Sequence, residues 1–205
     1  MDCLSCGAKP ISSIYCQECK QLSLDFDGQD SFSLFQLPKI YAIDKSLLEN
    51  RYLQLSRVTH PDLVREDLRD DSRLTALSSF VNEAYRVLKD DFLRAEMLLK
   101  IHSDGLGVDP NALPSHFLME MLELQEDIEY YTEDPEKFEK ELSQVEADME
   151  IKIASAFQKI NNFFSLASED SPEFSDHVLA IQTNLNTIRY FRRVLASVEK
   201  ALEEL

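Results

Sequence analysis

The chain of 205 residues contains no tryptophan, only four glycines and no run of 18 apolar residues. A membrane-spanning helix needs about 20 mainly apolar residues, so the missing run argues against a membrane protein. So few glycines also leave no glycine-rich loop of the kind that holds phosphates. Because Leu, Glu, Lys and Ala are abundant, the composition predicts a mostly helical protein of one or two domains.

Basic residues are scarce as well, with 21 Lys and Arg against 38 Asp and Glu and a net charge of −17. Residues 1–100 carry 13 basic and 16 acidic side chains, whereas residues 101–205 carry 8 and 22. Proteins that bind nucleic acid or anionic lipid need a positive surface, so we expect neither nucleic acid nor membrane as a partner. The acidic half either meets a basic partner protein or is a solvated surface.

All four cysteines lie near the N-terminus, in the pairs Cys3-x-x-Cys6 and Cys16-x-x-Cys19. Two such pairs place four thiolates tetrahedrally around Zn²⁺, and a glycine after the second cysteine lets the backbone turn around the metal. Disulfides suit secreted proteins, and a redox Cys-x-x-Cys needs a thioredoxin-like βαβ unit, for which there is no pattern. We therefore predict a structural zinc knuckle over residues 1–27, because four protein ligands leave no open position for catalysis.

The N-terminus has neither the basic and apolar pattern of a signal peptide nor an Arg-rich transit pattern. Together with the cysteine pairs, this predicts a soluble protein of a reducing compartment. We expect the bacterial cytoplasm, with the mitochondrial matrix as the alternative.

A His-Pro-Asp tripeptide, residues 60–62, separates two helix-like stretches at residues 45–58 and 72–88. Pro61 lacks an N–H and disfavours helical backbone in the residue before it, so the first helix must end there. The apolar stripes of the two stretches predict an antiparallel helix pair with the tripeptide at an exposed loop tip. Such tips often carry docking residues, although a proline that merely stops a helix explains three residues equally well.

Glycines and prolines before Ser115 mark a linker, so we place domains at residues 28–103 and 104–205. Three helices follow, beginning near residues 115, 134 and 171, the last two with an early proline. Alternating apolar steps of three and four predict a three-helix bundle. The predicted fold is all-α throughout, apart from the cysteine region.

The first helix of the bundle has two apolar sides. At 100° per residue, its core stripe consists of Phe117, Met121, Leu124, Ile128 and Tyr131. The opposite side consists of Leu118, Met119, Leu122, Glu123 and Glu126. An exposed apolar patch with an acidic rim often marks a partner site, but burial of both sides within the bundle would satisfy the same pattern. On the third helix, Tyr190 lies off the apolar stripe and has no obvious core role.

From about residue 31 onward the chain resembles the HscB family, the J-domain co-chaperones of iron–sulfur cluster assembly. The resemblance is carried by Phe32-x-x-Phe35-x-Leu37-Pro38, Tyr52, Leu55, Arg57, the His-Pro-Asp tripeptide, Asn82-x-Ala84-Tyr85-x-x-Leu88 and Arg94-Ala95-x-x-Leu98-Leu99. The cysteine pairs resemble the N-terminal extension of the longer, eukaryote-like members. Asp91 departs from the pattern, because the family usually has a proline there.

The resemblance implies a J domain that docks on a DnaK- or HscA-type chaperone and accelerates its ATP hydrolysis. It implies docking through Arg57, His60, Pro61 and Asp62. It also implies that an IscU-type iron–sulfur scaffold binds Leu118, Met119, Leu122, Glu123, Glu126 and Tyr190. The chain itself is then no enzyme, and no nucleophile accompanies the tripeptide. The alternative is a general J-domain co-chaperone for protein folding, which would need a broader apolar groove.

Overall fold

The computed structural model describes residues 3, 5–60, 62–63, 71–103, 113–166 and 172–203. These residues form seven helices and, in place of β-strands, only an isolated antiparallel bridge between Tyr15 and Leu22. The fold is therefore all-α, as the composition predicts. The chain divides into two compact units, one up to Leu98 and one from Leu99. No helix in the described ranges is long and apolar enough to span a membrane.

The first unit contains an antiparallel helix pair. Its helices are α1 (Ser31–Leu34), α2 (Lys45–Thr59) and α3 (Ser72–Lys89), and α4 (Asp91–His102) continues into the second unit. Tyr52 of α2 stacks on Tyr85 of α3 with ring centroids 3.8 Å apart. Lys45, at the start of α2, reaches Asp91, just after the end of α3, at 2.8 Å. The beginning of α2 thus lies beside the end of α3, which confirms the predicted antiparallel arrangement.

A buried arginine connects the helices of this unit. Arg94 is 2% exposed, and its guanidinium donates to the carbonyl oxygens of Tyr41 at 2.8 Å and Leu88 at 2.5 Å. It also pairs with the Asp91 carboxylate. Burial acts to raise the pKa of Asp91, but hydrogen bonds from Lys45 and Arg94 outweigh it and lower that pKa. Asp91 therefore has a structural role in this unit.

The cysteine region packs against these helices instead of standing apart from them. Ile14 is buried, and the Ser13 N–H donates to the Leu34 carbonyl at 3.3 Å. Phe26 stacks on Phe80 of α3 with centroids 5.3 Å apart. A segment too short for a core of its own thus contributes apolar side chains to a shared one. The domain limits at residues 27, 103 and 104 stay predictions.

The second unit is the predicted three-helix bundle. Its helices are α5 (Ser115–Thr132), α6 (Glu139–Leu166) and α7 (Phe174–Glu203). Its core is built from Phe117, Met121, Ile128, Leu142, Met149, Phe191, Val194, Val198 and Ala201. α6 begins five residues after the predicted start near residue 134, because the N–H groups of Lys137 and Phe138 donate to the Asp134 carbonyl in a turn.

Candidate functional site

The His-Pro-Asp corner, residues 60–62, begins where α2 ends at Thr59. His60 caps the helix with extended backbone, φ −73° and ψ 127°, as expected before a proline. The Leu63 N–H donates to the His60 carbonyl at 3.0 Å, and the Asp62 N–H donates to His60 Nδ1 at 3.2 Å. Pro61 lies outside the described residues. These two bonds hold His60, Asp62 and Leu63 together in a turn.

Both side chains of the corner are accessible, because the His60 side chain is 51% exposed and that of Asp62 is 83% exposed. Arg57 is exposed one turn earlier, in the last turn of α2, where a helix dipole favours a cation. Thr59, between them, is buried and its hydroxyl donates to the Leu55 carbonyl at 3.0 Å. The corner therefore presents a cation, an imidazole and a carboxylate to solvent, which suits docking on a polar surface.

The four cysteines form a metal-binding site. Their Sγ atoms all lie within 4.8 Å of one another, at 3.7 Å for Cys3 and Cys19 and 3.6 Å for Cys6 and Cys16. A tetrahedron of metal–sulfur bonds of about 2.3 Å has edges of about 3.8 Å, whereas a disulfide bond measures about 2.05 Å. The spacing fits a tetrahedral ion, and all four cysteines are free.

Each cysteine pair ends in a left-handed residue that turns the chain back toward the metal position. Gly7 has φ 72° and Lys20 has φ 59°. Because a side chain disfavours positive φ, Lys20 is strained where Gly7 is not. The sequence predicts a left-handed turn only at Gly7. The same turn at Lys20 could have been inferred from its position, because Lys20 follows Cys19 as Gly7 follows Cys6.

The thiols differ in acidity. Backbone N–H groups of Ser5 and Cys6 lower the pKa of Cys3 to about 7. At Cys6 the Ala8 N–H favours the thiolate, but desolvation and the adjacent sulfurs outweigh it and raise the pKa to about 12. The Cys3 thiolate thus forms readily, whereas the raised pKa values of Cys6 and Cys19 disfavour further thiolates beside it. A bound dication stabilises all four thiolates at once, so this donor set fits a metal ion.

The α5 patch, defined as Leu118, Met119, Leu122, Glu123 and Glu126, lies on the outside of the bundle. Its three apolar members are 49%, 67% and 60% exposed, and both glutamates are exposed. On the other side of the same helix, Phe117, Met121 and Ile128 are buried. α5 carries five acidic side chains and no Lys or Arg. Burial of both sides in the bundle is therefore excluded, and the patch is an apolar surface in an acidic setting.

Tyr190 differs from the expectation that it has no core role. It is partly buried and meets the Phe117 ring edge-on, with centroids 5.7 Å apart. Its hydroxyl donates to the Met121 carbonyl at 3.4 Å. Tyr190 also lines a cleft between α5 and α7 with Gln125 and Arg193. Tyr190 thus packs on the core and also borders one side of α5. Arg193, which lines the same cleft, was not among the predicted site residues.

Comparison with known proteins assigns the family. The model of the HSCB C-terminal oligomerisation domain matches residues 113–199. A co-chaperone protein HscB homolog from Psychromonas ingrahamii is 35% identical over 135 residues, which cover 62% of this chain and 79% of that protein. The chain belongs to the HscB family of co-chaperones.

Other HscB proteins agree with this assignment along nearly the whole chain. The iron-sulfur cluster co-chaperone protein HscB homolog of Arabidopsis thaliana is 27% identical over 201 residues, 98% of this chain and 74% of that protein. The structure of the chaperone HscB from Vibrio cholerae matches with a TM-score of 0.65 and 26% identity, covering 86% of this chain and 99% of that one. Human co-chaperone HscB matches in fold over the full length of both chains, with a TM-score of 0.73 at 22% identity.

Proposed function

We propose that this protein is a co-chaperone of iron–sulfur cluster assembly that brings an IscU-type scaffold protein to a DnaK- or HscA-type ATPase chaperone. The observation that carries the proposal is the α5 patch. Leu118, Met119 and Leu122 are exposed to solvent, although the opposite side of the same helix is buried in the bundle core. The iron–sulfur process is supported by the name of the Arabidopsis relative.

The scaffold contacts the α5 patch. Leu118, Met119 and Leu122 form the centre, where burial by the partner excludes water and supplies most of the affinity. Glu123 and Glu126 form a rim that orients a basic partner and raises the association rate more than the affinity. Tyr190 flanks this contact through its cleft with α5.

The chaperone docks on the His-Pro-Asp corner. Asp62 and His60 are accessible on a turn held by one backbone hydrogen bond and by a bond from the Asp62 N–H to His60 Nδ1, so little conformational entropy is lost on binding. Arg57 contributes a nearby cation, and Pro61 restricts the backbone between the two functional side chains. Docking stimulates ATP hydrolysis by the partner, while this chain performs no chemistry itself. Two sites on one chain raise the effective concentration of the scaffold at the chaperone.

The tetracysteine site holds a structural Zn²⁺. Four thiolate ligands at tetrahedral spacing suit zinc and fill its coordination shell, so Cys3, Cys6, Cys16 and Cys19 stabilise the fold and do not catalyse. The bacterial cytoplasm is the proposed compartment, with the mitochondrial matrix as the alternative, since both are reducing.

The test separates the two docking sites with two variants. Leu118→Ser combined with Leu122→Ser should weaken binding to a purified IscU-type scaffold at least about tenfold in calorimetry, because it removes hot-spot side chains. Asp62→Asn should abolish stimulation of the chaperone's ATPase and leave scaffold affinity unchanged. Leu179→Ser, an exposed leucine on α7, and Glu49→Gln, an exposed carboxylate on α2, are the matched controls.

Unchanged scaffold affinity in the double serine variant would refute the patch as the scaffold site. Unchanged ATPase stimulation by Asp62→Asn would refute the corner as the chaperone site. If the chain instead bound unfolded proteins as tightly as the scaffold, the general J-domain co-chaperone would be the better assignment.

A further inference from the structure

A cleft between α5 and α7 lies beside the α5 patch. It has a volume of about 310 Å³, and its walls are residues 125–132 of α5 and residues 190–197 of α7. Both walls lie within continuously described parts of the chain. Ile128 and Val194, which are 5% and 8% exposed, form an apolar floor, and the other lining side chains carry polar groups.

The cleft is continuous with the α5 patch. Gln125 follows Leu122 by three residues and Leu118 by seven, and side chains at these spacings share one side of a helix. On the α7 wall, Tyr190 donates to the carbonyl of Met121, which lies in the turn between the two leucines. A protein that covers these leucines therefore reaches the mouth of the cleft directly.

Arg193 is the cation of this cleft. It is exposed, and its guanidinium has neither a hydrogen bond nor an ion pair with another described residue. Glu129 is the carboxylate in the lining, but it accepts a hydrogen bond from the Gln125 amide at 3.3 Å instead. A guanidinium carries its N–H donors in a planar fork that matches a carboxylate with two parallel hydrogen bonds. Arg193 therefore has donors available for a partner protein.

The two sides of the α5 patch carry opposite charge. At 100° per residue, Glu123 lies on the side of Leu122 that faces away from α7, whereas Gln125 lies on the side toward it. α5 has five acidic and no Lys or Arg side chains, so by itself it favours a partner that is basic throughout. Arg193 on the α7 side disfavours such a partner, because like charges that face each other across an interface cost affinity. A surface that fits both sides is basic toward the glutamates and acidic toward Arg193.

We propose that Arg193 is a specificity-determining residue of the scaffold site and pairs with a carboxylate of the scaffold at the mouth of the cleft. The inference rests on the proposed contact between the scaffold and the α5 patch, and it adds the chemistry of the partner surface. That surface has an apolar centre, basic groups toward Glu123 and Glu126, and an acidic group toward Arg193. The walls of the cleft limit access of water to the pair, so it contributes more than a fully exposed ion pair.

The test is Arg193→Gln in the full chain, titrated with a purified IscU-type scaffold in calorimetry. We expect the affinity to fall about five- to tenfold, as for the loss of a charge-assisted hydrogen bond. The matched control is Arg192→Gln, the same change one residue earlier on α7, where the guanidinium lies 5.9 Å from the centroid of the Phe157 ring of α6. Because this arginine faces the other side of α7, the control should change the affinity less than about twofold.

Net charge alone predicts the opposite result. Removing a cation makes the chain more acidic, so a uniformly basic scaffold would bind Arg193→Gln as tightly as the unchanged chain or more tightly. Either result would overturn the proposal, as would equal weakening by the two arginine variants. Salt supplies a second measurement. The difference between Arg193→Gln and the unchanged chain should shrink between about 0.1 and 0.5 M NaCl, because salt screens the pair, and a difference that salt leaves unchanged would contradict pairing with a carboxylate.

The leucine variant separates this inference from the proposed function. If Leu118→Ser combined with Leu122→Ser weakens scaffold binding and Arg193→Gln does not, the α5 patch stands and the role of Arg193 is wrong. If neither variant weakens binding, the scaffold site itself is wrong.

Discussion

Adjacent residues of α5 should respond to truncation in opposite ways. Met121 is 2% exposed in the bundle core, whereas Leu122 is 60% exposed in the α5 patch. We expect Met121→Ala to destabilise the second unit without a direct effect on the scaffold contact. Leu122→Ala should weaken scaffold binding and leave the stability nearly unchanged.

The magnitudes follow from burial. Truncating a fully buried methionine removes its transfer free energy and leaves a cavity, which together cost about 2–5 kcal/mol of unfolding free energy. Leu122 already exposes most of its surface, so its truncation should cost under about 1 kcal/mol. For scaffold affinity we expect the larger loss from Leu122→Ala. A central interface leucine contributes about 1–2 kcal/mol, or roughly 5- to 30-fold in affinity.

Urea unfolding followed by helical circular dichroism measures the stabilities, and calorimetry with a purified IscU-type scaffold measures the affinities. Equal losses of stability in the two variants would refute the division of α5 into a core side and a binding side. A stable Leu122→Ala variant with full scaffold affinity would show that Leu122 is on the exposed side of α5 but does not contact the scaffold.

Three further outcomes are expected in the first unit. Cys6→Ser should abolish the one equivalent of zinc measured by native mass spectrometry and lower the unfolding midpoint of this unit, and zinc retained at full stoichiometry would contradict the four-ligand site. Arg94→Lys should cost about 2–4 kcal/mol in urea unfolding, because the donors of an ammonium sit on one nitrogen and cannot reach the two carbonyls and the carboxylate that the planar guanidinium spans, whereas the exposed Arg86→Lys should cost under about 0.5 kcal/mol. The lowered pKa of Asp91 means that its contribution to stability is present above its usual pKa of 3.8 and is lost as the pH falls through the lower folded value. Unfolding followed between neutral and acid pH should therefore show a weaker acid dependence in Asp91→Asn, and an unchanged dependence would assign the effect to other carboxylates.

Local features of the chain were predictable because their causes lie close together in sequence. Pro61 lacks an N–H and disfavours helical backbone in the residue before it, and α2 does end at Thr59. The core stripe of α5 follows from helical geometry alone, and Phe117, Met121 and Ile128 are buried as the spacing predicts. Two Cys-x-x-Cys pairs indicate a metal site for the same reason, since each pair brings two sulfurs together locally.

Other features depend on contacts between distant residues. The packing of Phe26 on Phe80 joins the cysteine region to α3 across more than fifty residues, and no local pattern indicates it. Tyr190 appears unpartnered on its own helix but meets Phe117 and the Met121 carbonyl of α5. Helical spacing describes each helix alone, and it does not give the order in which helices pack.

The sequence by itself determined the all-α class, the end of α2, the tetracysteine cluster and the two-sided character of α5, because propensity, proline geometry and periodicity act over a few residues. Only the tertiary structure decided which side of α5 meets solvent, what Arg94 and Asp91 hold together, and that Tyr190 packs on the Phe117 ring. Those outcomes depend on how helices of unequal length cover one another, and burial is a property of that packing.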